Sequence, residues 1–469
     1  MRRLIENRFG MLALVLIALA AVYGGAFVSR PAPVRVEQPK PVRAAVASVS
    51  TVCPDPGGAT VSAVTPPGVE GPGEATVLDG EKTVVLDQPG TLWQKSIAKG
   101  ADPVRIGATG AMASGLEAGR TSKETSGAAR GLAGVRCVEP GADAWFVGPG
   151  PAVADLTLHL SNVEAAPADV FFTVYAGEGL VVTDQATGMV LKPGEHRAVK
   201  LRKVITSPLV MGLHVETSRG RVTAAVEAVL GQGKGADWLP AAAAPDTQVV
   251  VPGVPGSAGR RVLYITAPGE QDTVVQVRAV LKDGSYALKG REDVKVPAGS
   301  TTTMDLTTGV GGQPAALLLT SEAPIVAGLE ITGTGTLQDV AYTAGAPALD
   351  LGSVVADARK GTRLVLSAPF GAATVRLQLL PKEGDPPPPT QVVVPAARTK
   401  EIRLNPPPGG EKGFSVVLQP QPGSGPVYGG RVIEENTSLG QLLTAQPLAV
   451  ARTWALVPPT TDNPAAVLP

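Results

Sequence analysis

The phrase PVRIG (Pro103–Gly107) returns as PLVMGLHVE (Pro208–Glu216), PIVAGLEIT (Pro324–Thr332) and PVYGGRVIE (Pro426–Glu434), each with a glycine four residues after the proline. The copies start 105, 116 and 102 residues apart, so the repeating unit is a whole small domain rather than a solenoid turn. The flanking segments repeat in order. LTLHLSN (Leu156–Asn162), VFFTVY (Val170–Tyr175) and VLKPGEHRAVKL (Val190–Leu201) of one unit answer to VLYIT (Val262–Thr266), VVQVRAVLKDG (Val274–Gly284) and VKVPAGSTTTMDL (Val294–Leu306) of the next. Pro193, Pro297 and Pro395 mark a common turn.

These runs are short, rich in Val, Leu, Ile and Thr, alternate apolar with polar residues, and are separated by Gly, Pro, Asp and Asn, which is the pattern of half-buried strands. With a leading strand before each body (WFVGP from Trp145, QVVVP from Gln248, GSVV from Gly352), each unit offers about seven strands in about 100 residues, the size of an immunoglobulin-like sandwich. The expected fold is all-β: tandem immunoglobulin-like β-sandwich units. A β-propeller is the alternative, because another copy of the leading strand, WALVP from Trp454, follows the last unit. A proline before the recurring strand and a glycine inside it suit an edge strand. Ala111–Ala133, with Gly110 before it and Gly115, Gly119, Gly127 and Gly131 inside it, reads as a loop with at most one short helix.

At the N-terminus, Arg2, Arg3 and Arg8 precede an uncharged, mostly apolar run from Phe9 to Val28. Its 20 residues match the length of a membrane-crossing helix. The arginine flank orients it with the bulk of the chain outside the cytoplasm. A cleaved secretory signal ending near Gly24-Gly25-Ala26 is the competing reading. The organisation is then a basic flank (1–8), a signal anchor (9–28), a proline-rich stalk (29–50), four β units (51–140, 141–247, 248–350 and 351–459) and a tail (460–469). Cys53 and Cys137, the only cysteines, lie 84 positions apart and bracket the first unit. Outside the cytoplasm they are expected to form a disulfide.

Little of the sequence speaks of catalysis. Ser96-Ile-Ala-Lys99 matches the S-x-x-K of penicillin-recognising serine enzymes, but the companion S-D-N and K-T-G elements are missing. Aligning the recurring phrases places Ser96 opposite Thr320, an ordinary strand end. Of the three histidines, His214 and Glu216 share a strand face and His159 lies on another strand of the same unit, the raw material of a two-histidine, one-carboxylate metal site. The corresponding Glu330 and Thr332 do not repeat it, so His159, His196 and His214 read as strand-face residues and no metal or cofactor is assigned. The 41 basic and 41 acidic residues cancel, which removes the footprint of a nucleic-acid binder. Trp145, Trp238 and Trp454, each on or near a leading strand, read as core anchors.

The anchor and stalk, TVCPDPG around Cys53, GVRCVEPGADAWFVGPG around Cys137 and VVVPGVPG before VLYITAPG together resemble an actinobacterial family known only as a domain of unknown function, family 5719. That resemblance implies a membrane-anchored envelope protein and supplies no catalytic residues. The function expected is a non-catalytic, extracytoplasmic binding or scaffold protein of the bacterial cell envelope, held in the cell membrane by its N-terminal helix, with an envelope protein or a cell-wall polymer as partner. The alternatives are an envelope hydrolase or penicillin-interacting enzyme using Ser96 and Lys99, and a cell-wall glycan-binding module.

Overall fold

In a computed structural model, the described residues are 8–28 and 42–457, less 56, 81, 182–187, 206–207, 232, 257–258 and 291. The tail 460–469 and most of the stalk lie outside them. Arg8–Val28 is a single α-helix, and Phe9–Val28 is long and apolar enough to cross a membrane, a test that a signal sequence also passes. The end of the expected stalk is strand instead. Prolines stop at Pro41, and the valines that follow build Val42–Ala45, which pairs with Trp454–Val457, and then Ser48–Cys53.

Four sandwiches follow, spanning 48–136, 143–239, 246–344 and 353–447. Each has eight strand positions rather than about seven, in two antiparallel sheets of fixed order. The first sheet runs first–sixth–third–fourth and the second runs fifth–second–seventh–eighth. In the first sandwich these are Ser48–Cys53, Val104–Thr109, Ala75–Asp79 and Lys82–Leu86 against Trp93–Ile97, Ala59–Val64, Glu117–Glu124 and Gly131–Arg136. In the third, the sixth and seventh positions are one long strand, Ala315–Thr332, that passes from one sheet to the other. Two stacked sheets per repeat make these sandwiches and not propeller blades. Alternation does the packing: along Thr273–Val280 the side chains of Val275, Val277 and Ala279 are buried against Leu263 and Leu329 of the facing sheet, while those between them are exposed. The turns at Pro193, Pro297 and Pro395 all join the fourth strand to the fifth.

The recurring phrase is not equivalent in all four sandwiches. Its first two copies lie on sixth strands (Val104–Thr109, Val210–Arg219) and its last two on seventh strands (the second half of Ala315–Thr332, and Tyr428–Thr437). Nor are these edge strands, since the sixth pairs with the first and third and the seventh with the second and eighth. The glycines are explained by neighbours instead. A Cβ on Gly212 would collide with Thr266, one on Gly328 with the carbonyl of Val147, and one on Gly430 with Gly253, each in an adjoining sandwich. Only Gly107 has open space around it.

Those seams close a ring. The first strand of the second sandwich, Asp143–Pro149, packs on the second and seventh strands of the third, Arg261–Ala267 and Ala315–Thr332. The first strand of the third, Asp246–Val254, packs likewise on Thr362–Ala368 and Tyr428–Thr437 of the fourth. The first strand of the fourth, Ser353–Ala358, packs on Ala59–Val64 and Glu117–Glu124 of the first. The four eighth strands (Gly131–Arg136, Ala236–Leu239, Val340–Ala344 and Gly440–Pro447) touch in cyclic order, so residues 45–455 form one body around a shared axis. The stretch read as a loop, Ala111–Ala133, is in fact a short 3-10 turn, the seventh strand and the start of the eighth. One of its glycines is required by a neighbour: a Cβ on Gly131 would run into Asp339 and Ala236.

Candidate binding cleft on the ring axis

Two buried aspartates stand where the eighth strands meet. Asp339, from the third sandwich, accepts backbone N–H bonds from Leu132 (2.9 Å), Leu443 (3.0 Å) and its neighbour Val340 (3.0 Å), and from Ala236. Its carboxylate therefore ties together donors from all four sandwiches. Asp237, from the second, accepts from the N–H of Gly134 (2.9 Å), the hydroxyl of Thr444 (3.1 Å) and the N–H of Trp238. Burial pushes the Asp339 carboxyl up to about 7 against the pull of its N–H donors, and pushes Asp237 well above the ordinary carboxylate range.

Beside this hub, the segments leaving the eighth strands border a cleft of about 510 Å³. Val135, Trp238, Pro240, Pro347, Leu448 and Val450 are among its lining, so every sandwich contributes. Its charged residues are spoken for: Arg136 makes a two-pronged ion pair with Glu117 (2.6 Å), and Arg452 holds Glu139 (2.6 Å). What remains to a ligand is mostly small and apolar. A concave, largely apolar wall with paired charges at its margin suits binding.

The residues singled out in the sequence are scattered. Ser96 is exposed on a fifth strand, which pairs on one side only, and Lys99 is ion-paired with Glu124 at 2.6 Å. Ser96 is not the counterpart of Thr320, because the phrase alignment slips by one strand. By pairing register it answers to Lys200, Asp305 and Arg403. Cys53 and Cys137 are disulfide-bonded, joining the first strand to the residue just past the eighth, beside the bridge between Val52 and Val138.

Trp145 and Trp238 are buried, but Trp454 is 49% exposed and anchors no core. It belongs to the strand paired with Val42–Ala45, outside any sandwich. His214 stacks on Trp145 (ring centroids 4.0 Å apart) and meets Asp143 at 2.6 Å, in the sheet opposite His159. The set of His159, His214 and Glu216 is thus not assembled. His159 instead lies with Glu227 of its own sheet and Asp55 of the first sandwich, one ligand atom of each within 4.8 Å of the others. Sequence reading missed Asp55, Glu227, Asp237 and Asp339. The available signal was a carboxylate set in an otherwise apolar run, as in GADWLP and DVAYTA.

A sequence profile described as a family of unknown function, DUF5719, matches residues 93–405. The chain belongs to that family. No curated protein matches it. The DUF5719 match starts on the fifth strand of the first sandwich and stops just after the fifth strand of the fourth, so it covers three full turns of the repeat, Asp237 and Asp339 included.

Proposed function

We propose that this DUF5719 chain is a non-catalytic, membrane-anchored binding protein of the bacterial cell envelope, in which the ring is a rigid platform and the axial cleft is the binding site. One observation carries the reading: the cleft is built by all four sandwiches at the place where their eighth strands converge. Repetition elsewhere serves packing, whereas these segments differ between repeats and share only their location. The apolar helix supports the anchor, and its arginine flank supports an extracytoplasmic ring.

The test is complementation of a deletion strain, read beside thermal unfolding of the purified full chain. Ala225→Trp, which fills the cleft, should abolish complementation with the unfolding midpoint retained, and Ser96→Ala with Lys99→Ala should complement fully. Full complementation by Ala225→Trp would reject the cleft, and loss with stable Ser96→Ala would reject a non-catalytic role. Recovery of the ring in culture medium with a new N-terminus near Ala26 would reject the anchor.

A further inference from the structure

Three of the four seams are made by a leading strand lying on the next sandwich, but the seam between the first and second is not: Ser48–Cys53 makes no comparable packing on Asp155–Ser161 or Thr223–Val229. Side chains meet there instead. Pairing register equates His159 with Tyr264 and Glu227 with Glu330, since His159 and Thr157 face Ala225 and Glu227 as Tyr264 and Val262 face Gly328 and Glu330. In the third sandwich the pair is closed, the Tyr264 hydroxyl donating to Glu330 at 3.1 Å, under an apolar cover from Trp145 and Val147. In the second sandwich the tyrosine is a histidine and the cover is replaced by Asp55. The Nε2 of His159 is buried and takes no hydrogen bond.

We propose that Asp55, His159 and Glu227 form a binding site for a divalent transition-metal ion, zinc in the first instance, which staples the first sandwich to the second. Imidazole with two carboxylates is a ligand set for zinc rather than for calcium or magnesium, which take oxygen ligands. Zinc bonds of about 2.0–2.2 Å place tetrahedral ligands about 3.4 Å apart. The three ligand atoms already lie within 4.8 Å of one another, so a small closure brings them to that spacing. A fourth position is left to water. The neighbouring charges are Arg120, stacked over Trp238, and Lys200 with Asp155; Arg120 makes no ion pair within 4 Å among the described residues.

The experiment is zinc titration of the full chain in detergent micelles after chelator treatment, followed by calorimetry and by the visible spectrum of the cobalt-substituted protein. One zinc per chain is expected, with a higher unfolding temperature when bound. His159→Ala and Glu227→Gln should each weaken binding at least tenfold and alter the cobalt spectrum, whereas His214→Ala should leave both unchanged. Absence of stoichiometric zinc, equal binding by the combined Asp55→Asn, His159→Ala, Glu227→Gln variant, or a preference for calcium or magnesium over zinc would each overturn the assignment. Circular dichroism of every variant shows that the fold persists.

Discussion

Replacing Asp339 with alanine tests whether the four sandwiches are one structure. The carboxylate accepts N–H groups of Leu132, Ala236, Val340 and Leu443, one from each sandwich, at a site fully shielded from water. A buried N–H left without an acceptor costs about 1–3 kcal/mol, so four together cost about 8 kcal/mol at mid-range. The variant also loses a carboxyl whose shift to about 7 represents a burial penalty on the order of 4 kcal/mol. The net loss is then roughly 4 kcal/mol, a large share of the 5–15 kcal/mol typical of a folded domain. Urea unfolding of full-length protein in micelles measures the total, and hydrogen exchange by mass spectrometry locates it. Peptides containing Leu132, Ala236 and Leu443 should all lose protection together. A loss under about 1 kcal/mol, or deprotection confined to the peptide containing Val340, would refute the hub. Asp339→Asn keeps one acceptor oxygen and should fall between the two proteins.

The same carboxyl predicts a pH dependence. Its folded value of about 7 lies above the ordinary 3.8, so folding takes up a proton in between; its stabilising contribution is complete below about 4 and lost as pH rises through about 7. Asp237 and Tyr342 face it, and Asp237 titrates in the same sense, so comparing unfolding midpoints of the wild type and Asp339→Asn from pH 4 to 8 isolates its share. Gly328→Val should cost about 1–3 kcal/mol or more, because the new side chain meets the carbonyl of Val147; an unchanged melting temperature would show that the seam can yield. Ser96→Ala, at an exposed strand position, should stay within about 0.5 kcal/mol of wild type in the same assay. Removing the disulfide with Cys53→Ser and Cys137→Ser frees a closure spanning 84 positions and should cost about 4–5 kcal/mol, read as early loss of protection in the first sandwich.

What could be read from the chain was whatever a single sandwich needs for itself. Alternation in VVQVRAV and the turns at Pro193, Pro297 and Pro395 are local, and they reported strands and their order. What one sandwich owes its neighbour was hidden. Gly119 and Gly131 looked like helix breakers in a loop, because a strand packed closely on its neighbours is short of the β-branched side chains by which strands are recognised. The recurring phrase misled for a related reason: in three of its four copies a strand runs from proline into a seam, so sixth and seventh strands share a local grammar while lying in different sheets. Asp237 and Asp339 carry no motif. Their partners are mostly main-chain N–H groups, which are written identically in every residue, so only the assembled ring shows what the carboxylates hold.

Closure of the ring also orders events in time. The seventh strand of the first sandwich rests on Ser353–Ala358 and its eighth on Gly440–Pro447. The sandwich synthesised first therefore cannot find its last neighbours until about three hundred further residues have emerged. Long-range pairings of this kind are slow to form. As it emerges, such a chain spends its early life as a curved row of domains with two sticky ends, and a premature stop anywhere before the final strands leaves both ends uncovered. A string of independent domains would lose one bead to truncation; this architecture loses its axis, and with it the cleft.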